Sequence, residues 1–391
     1  MATISTQLSN PFREHFLLDP SVVFLNHGSF GACPTPVFEA YQRWQRELER
    51  QPVEFMGRRH DALLKDARKK LGAYLNADPD ALFFVPNATS GLNTVIRSLD
   101  LREGDEILGN DHEYGALEKT WAYICGKTGA RYVKRPIPLP VTTAEEFVEA
   151  FWAGVTPRTK IVFLSHITSP TALIFPIAPI IERARAAGIL SIIDGAHAPG
   201  QIPLDLTALG ADFYSGNCHK WLCSPKGAAF VYVRPDFQDW IDPLTISWGW
   251  DADRAQSSYL QRNEWQGTRD IAAFLSVPAA IDFQAAHNWA VVRQQCHALV
   301  SETRGRLTAL TGLAPISPDS AEWYGQMATI PLPPCDVEAL KVQLYDLYRI
   351  EVPLMTFGGR QYVRISCQAY NTRADYDCLI DALCALLNIG G

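Results

Sequence analysis

The sequence predicts an α/β chain, with a mostly parallel sheet covered by helices on both faces and a smaller C-terminal α+β unit. Three observations carry this. Short continuous apolar runs alternate with amphipathic helical stretches from residue 81 to residue 233, the mark of parallel strands buried on both faces. The alternation ends in a long helical region, 270–311, and a different order of elements follows it. The 391 residues also exceed the roughly 250–300 at which a single core stops growing, so two domains are expected.

The elements follow in order. Residues 34–51 and 57–76 are rich in Arg, Glu, Lys and Ala, with apolar residues at helical spacing, and read as two helices. ALFFV (81–85) is the first buried strand, and PNATSG turns it into a helical LNTVIRSL. EILGN (106–110) precedes a helix at 114–127, and RYVKRPI precedes a helical AEEFVEAFWAGV. KIVFLSHI (160–167) leads to the helical PIAPIIERARAAG, and ILSIIDG (189–195) follows. ADFYSG and GAAFVYVR are two further strands. Beyond the long helical region come QMATIPLP, a helix from 336, IEVPLMTF, RQYVRIS and a helix at 373–388. The expected division is an N-terminal segment (1–55) serving the small domain and the active site, a large domain (56–295) and a small domain (296–391).

Composition narrows the function. Hydrophobic residues make up 47% and charged residues 20%, as in a globular protein. The net charge is −7 without a long run of Lys and Arg, which argues against nucleic acid or an anionic membrane as main partner. MATISTQLSNPFREHF has no basic region before an apolar core, so no secretory signal is expected. No apolar run approaches the roughly 18–20 residues that cross a bilayer. The nine cysteines form no framework, and their odd number in a large chain points to reduced thiols in a cytoplasmic protein.

Ligands of open α/β sheets bind beyond the carboxyl ends of the strands. The polar residues there are Asn87 to Gly91, then His112 and Tyr114, then Ser165, His166, Thr168 and Ser169. Asp194 and His197 follow the next strand, and Ser215, Asn217, His219 and Lys220 the one after. Asn87 to Gly91 lead into a helix, whose first N–H groups are unpaired and suit a phosphate; the same residues also serve as a plain N-cap. Asp194 ends an apolar strand, where a carboxylate is costly without a cation or donor. It either caps the next turn or pairs with a protonated ring nitrogen. Lys220 lies between two buried strands, where lysine is rare unless paired. Partial desolvation makes such an amine nucleophilic and suited to a Schiff base. A lysine for an aldehyde, an acid for a pyridine nitrogen and a phosphate cradle are the needs of pyridoxal 5′-phosphate. Cys218, His219 and Cys223 lack the second arm of a metal site, and no Gly-x-Ser-x-Gly elbow is present.

Several segments carry a resemblance: FLNHGSFGACP (24–34), NDHEYGA (110–116), SHITSPTALIFPI (165–177), DGAHAPGQIPLDL (194–206), SGNCHKW (215–221), EWQGTRD (264–270) and YVRISCQAYNT (362–372). Along nearly its whole length the chain resembles the class V aminotransferase family of fold-type I pyridoxal phosphate enzymes, and within it the isopenicillin N epimerase branch. The resemblance implies the fold-type I transferase fold, with a seven-stranded, mostly parallel sheet in the large domain. It makes Lys220 the lysine of the internal aldimine and the base that removes the α-proton. Asp194 would pair with the pyridine nitrogen, and His197 with the phenolic oxygen. Ala88 and Thr89 would hold the phosphate, with Asn217 and His219 nearby. Thr268 would reach the phosphate of the neighbouring subunit, implying a homodimer with shared sites. Arg364 would grip the substrate α-carboxylate by a bidentate pair. Asn26, His27 and His166 would line the substrate side. Tyr114 falls at the stacking position, where desulfurases of the family carry a histidine; His112, two residues earlier, is the other acid–base candidate.

The reaction is less determined. After loss of the α-proton, reprotonation on the other face gives an epimer, loss of a β-substituent gives a lyase, and protonation of the cofactor carbon gives transamination. A cysteine desulfurase of this family needs a mobile cysteine shortly before the carboxylate-binding arginine. PLMTFGGRQYVR (353–364) holds none, and Cys367 reads as a small buried thiol. The sequence therefore favours an epimerase or racemase acting on an amino acid or short peptide-like substrate. A cysteine or cystine C–S lyase without a persulfide cysteine is the alternative, with an aminotransferase behind both. A non-catalytic protein of this fold is expected to lose Lys220, Asp194 or Arg364, and all three are present.

Overall fold

The computed structural model describes residues 10–389. Residues 1–9, on which much of the expectation of no secretory signal rests, lie outside them, as does that part of the N-terminal segment 1–55. After a short strand β1 (Val23–Phe24), seven strands build the main sheet. They are β2 (Leu82–Val85), β3 (Glu106–Asn110), β4 (Arg131–Arg135), β5 (Thr159–Ser165), β6 (Leu190–Asp194), β7 (Phe213–Asn217) and β8 (Ala229–Val233). Their order is β2-β8-β7-β6-β5-β3-β4. Only β8 runs against the others, pairing antiparallel with β2 and β7.

Strand side chains alternate between two cores because successive residues point to opposite faces. Phe83, Ile107, Ile161, Phe163, Ile192 and Phe213 pack with Leu92, Val95, Leu117 and Trp121. These come from the helices Ala88–Arg97 and Gly115–Thr128. Phe84, Leu108, Val162, Leu164 and Ile193 face the other way, toward Leu64, Leu71, Ile180, Ile181 and Ala280. Both faces are thus covered, which is why the strands read as unbroken apolar runs.

The second core continues to the C-terminal elements through Met327, Ile330, Val363 and Ile365. There β9 (Met327–Leu332), β11 (Leu354–Phe357) and β12 (Arg360–Ser366) form an antiparallel sheet in the order β11-β12-β9. Strand β10 (Ile350–Glu351) pairs parallel with β1, which draws the N-terminal segment to this region. The sequence shows IEVPLMTF as one run; it splits into β10 and β11 at Val352 and Pro353, because proline has no N–H for a ladder. The long helical region at 270–311 likewise resolves into Ala272–Leu275, Val277–Ala286 and Trp289–Thr311. Asn288 in left-handed conformation makes the second break. Among the described residues, no helix is long and apolar enough to cross a membrane.

Candidate active site

The parallel strands bring their carboxyl ends to one level. Ser165 of β5 is in register with Asp194 of β6, and Asp194 with Ser215 of β7. Beyond this edge lies a cavity of about 600 Å³. Asp194, His197, Asn217, His219 and Lys220 are among its walls, with the Ala88–Thr89 helix start and Tyr114. A larger cavity, about 940 Å³, opens at the opposite end of the sheet beside Lys160, Leu190 and Asp212. Ligands of such sheets bind at the carboxyl ends, and the buried Asp194, His197 and Lys220 meet in the smaller cavity.

Lys220 Nζ lies 3.0 Å from His197 Nε2. Trp221 Nε1 donates to His197 Nδ1 at 3.2 Å. An indole N–H only donates, so Nδ1 carries no proton and Nε2 does. Nε2–H then donates to the Lys220 amine, which must be neutral to accept. Burial pushes Lys220 down to about 7, helped by the Arg364 charge and opposed by Asp194. Burial, with the Lys220 charge, also holds His197 well below its ordinary value. Asp194 moves the other way: burial raises it to about 6 against the Ala196 N–H bond and the Lys220 charge. Its Oδ1 accepts from Ala196 N at 2.9 Å.

The Lys220 backbone is clamped. Its carbonyl accepts from Cys223 N at 3.0 Å and from His27 Nε2 at 3.1 Å. His27 Nδ1 faces the Tyr370 hydroxyl at 3.0 Å. Both ring nitrogens are therefore engaged, and the buried His27 is not among the cavity walls. It holds the lysine loop from behind. Gly31 closes the same contact with φ +72°, where a Cβ would stand 2.1 Å from the His219 carbonyl oxygen.

At the helix start, Asn87 caps Ser90 N at 2.8 Å, and Ala88 N donates to Asn217 Oδ1 at 2.8 Å. The Ala88 amide is thus taken, and Thr89 supplies the next amide toward the cavity. His219 Nδ1 donates to the Ala228 carbonyl at 3.0 Å, and burial lowers this histidine to about 4.

Arg364, on β12, stands behind two walls. Its Nη1 donates to Ser169 O at 2.5 Å and to Ser169 Oγ at 3.2 Å, and its Nη2 donates to Ser29 Oγ at 3.2 Å. Its Nε is buried without a partner. Asn26 is not a wall; it accepts from Ser29 Oγ at 2.5 Å and donates to Glu351 at 2.9 Å, so it steadies Arg364 through Ser29. His166 is also off the cavity, with Nδ1 3.0 Å from the Tyr214 hydroxyl.

His112 lies away from the cavity walls. It is fully buried, with Nδ1 2.8 Å from Thr171 Oγ1 and Nε2 3.1 Å from the Ile137 carbonyl, and it packs on Phe357. Its histidine chemistry serves the contact between the two sheets. Tyr114 remains at the cavity mouth, 44% exposed. Thr268 is exposed and away from this cavity. Sequence reasoning missed Ser29, the tautomer-setting Trp221 and the buried Glu113. Of these, Trp221 had a signal: it directly follows Lys220 in an apolar stretch.

The chain belongs to the class V aminotransferase family, whose model matches residues 31–379. It is 37% identical to an isopenicillin N epimerase of Amycolatopsis lactamdurans over 386 residues, 95% of this chain and 96% of that one. It is 29% identical to a putative L-cysteine desulfhydrase of Oryza sativa subsp. japonica, covering 99% of this chain and 87% of that one. The fold matches a cystine C–S lyase solved with its product cysteine persulfide, at TM-score 0.81 and 23% identity over 93% of this chain and 97% of that one. It also matches the cysteine desulfurase CsdA of Escherichia coli, at TM-score 0.81 and 24% identity over 96% and 98%. The family depends on pyridoxal 5′-phosphate, and the residues present fit that group. A neutral buried amine, a buried carboxylate with a single N–H donor and a helix start with an amide to spare surround one cavity.

Proposed function

We propose that this protein is an amino-acid epimerase or racemase of the isopenicillin N epimerase kind. The observation that carries it is the Lys220 amine, held neutral by His197 Nε2–H in a cavity shared with Asp194 and backed by Arg364. The 37% identity over 95% of the chain supports the same reaction class.

Pyridoxal 5′-phosphate supplies an aldehyde for the substrate amine and a ring that takes up the electrons of a broken α-bond. Lys220 is the amine that would hold the aldehyde and, once displaced by substrate, accept the α-proton at Nζ. Asp194 Oδ would keep a proton on the ring nitrogen. His197 Nε2–H would donate to the phenolic oxygen, in the tautomer that Trp221 fixes. The Thr89 amide and His219 would meet the phosphate, with Asn217 holding the helix start. The Arg364 guanidinium, with Nε unpartnered and Nη groups anchored by Ser29 and Ser169, would take the α-carboxylate. With His112 and His27 engaged elsewhere, Tyr114 is the side chain proposed to return a proton to the opposite face.

A homodimer belongs to this proposal, with Thr268 reaching the second copy's phosphate. Buried polar atoms without partners gather in residues 254–269, on Arg254, Tyr259, Arg262, Asn263, Glu264 and Arg269. Trp248 beside them is 94% exposed. A second subunit over this stretch would cover Trp248.

The desulfhydrase relatives favour a second reading, a cysteine or cystine C–S lyase. It uses the same Lys220 proton transfer and differs in the bond that breaks next. The test is chiral chromatography of cofactor-loaded protein with L-cysteine, cystine, other L-amino acids and α-aminoadipyl compounds. The D-isomer without fragments supports the epimerase; pyruvate, ammonia and released sulfur assign the lyase.

A further inference from the structure

Glu113 immediately precedes Tyr114 and is almost fully buried. Its carboxylate accepts from Asn110 Nδ2, from Ser165 N at 3.1 Å and from Ser165 Oγ at 2.6 Å. Among the described residues it has no ion-pair partner. Burying a carboxylate without a cation is costly. Ser165 is a wall of the cavity and is in register with Asp194. The other groups facing Glu113 supply no positive charge. Tyr132 on β4 has a buried hydroxyl without a partner. His112 turns its ring to Thr171 and Ile137. Glu118 on the following helix pairs with Lys134.

We propose that Glu113 is a positioning residue that sets the charge on Asp194: its carboxyl keeps a proton, so that Asp194 is the lone anion of the cavity floor. Two buried carboxylates whose charges bear on each other cannot both ionise freely. Burial pushes Glu113 up to about 8, with the Asp194 charge adding and the Ser165 bonds opposing. When Glu113 loses its proton, a second negative charge appears behind Ser165. That charge strengthens the hold of Asp194 on a proton at the ring nitrogen. The inference rests on the cavity being the cofactor site.

Two measurements test it on wild type and Glu113→Gln, which keeps shape and removes the proton. In cofactor-free protein, an infrared pH titration is expected to show a protonated-carboxyl band that disappears as pH passes about 8 in wild type and is missing in the variant. In protein loaded with pyridoxal 5′-phosphate, the cofactor absorbance of wild type is expected to change over the same range, and that of E113Q to stay flat there. A band or an absorbance change that persists unaltered in E113Q overturns the proposal. If E113Q does not fold, Ser165→Ala removes one bond to the ionised carboxylate, and the transition must move to higher pH. An unmoved transition overturns the proposal equally. Wild type that binds no cofactor would sink the functional assignment, while the infrared titration would still decide the Glu113 charge.

Discussion

Arg364 gives the sharpest test of how substrate is held. Its Nη1 and Nη2 are fixed by Ser169 and Ser29, and only Nε is left buried without a partner. Arg364→Lys keeps the charge and loses the fork, so one ammonium must serve two serines and a carboxylate. Losing a hydrogen bond to a charged group costs about 1.5–3 kcal/mol. At about 1.4 kcal/mol per tenfold, kcat/KM is expected to fall roughly 10- to 140-fold. The cofactor absorbance should not change, because Arg364 acts behind Ser29 and Ser169. Arg364→Gln goes further and removes a charge that depresses Lys220. The Lys220 value then rises, the neutral amine appears at higher pH, and the rising limb of the pH–rate profile moves to the alkaline side. The assay is steady-state kinetics across pH beside absorbance of the loaded protein. An R364K enzyme within threefold of wild type, with an unshifted limb in R364Q, would refute the reasoning.

Other expectations follow from the clamp around Lys220. Gly31→Ala places a Cβ against the His219 carbonyl at positive φ, which should destabilise by about 2–4 kcal/mol; thermal melting reads this, and a variant melting with wild type contradicts the packing. Trp221→Phe removes the donor to His197 Nδ1. The loss of one hydrogen bond, about 0.5–1.5 kcal/mol, should weaken cofactor binding roughly 2- to 12-fold, and nitrogen NMR should show a mixture of His197 tautomers. Lys220→Ala protein should retain no cofactor after borohydride reduction and denaturation; a fixed cofactor in that variant would place the aldehyde elsewhere.

Much of this was legible in the sequence because both signals are local. Continuous apolar runs such as ALFFV (81–85) read as strands covered on both faces, and the residues after such runs meet at one edge. Asp194, His197, Asn217, His219 and Lys220 do meet there. Three of the histidines are placed differently. His27, His112 and His166 carry the right chemistry at the right strand ends, yet each ring is engaged elsewhere. The direction of a side chain in a loop depends on partners distant in sequence, such as Tyr370 for His27 and Ile137 for His112. Glu113 was invisible for the converse reason: a charged loop residue is normally solvated, and only the fold buries this one against Ser165.

The central claim is that Lys220 exchanges the substrate α-proton and that the product differs only in configuration. The measurement is NMR of an L-amino acid incubated with loaded wild type and Lys220→Ala protein in D₂O, followed by chiral analysis. The account predicts deuterium at the α-carbon together with the D-isomer in wild type, and neither in the variant. Exchange that persists in Lys220→Ala, or a wild type that yields pyruvate, ammonia and released sulfur without any D-isomer, would contradict it.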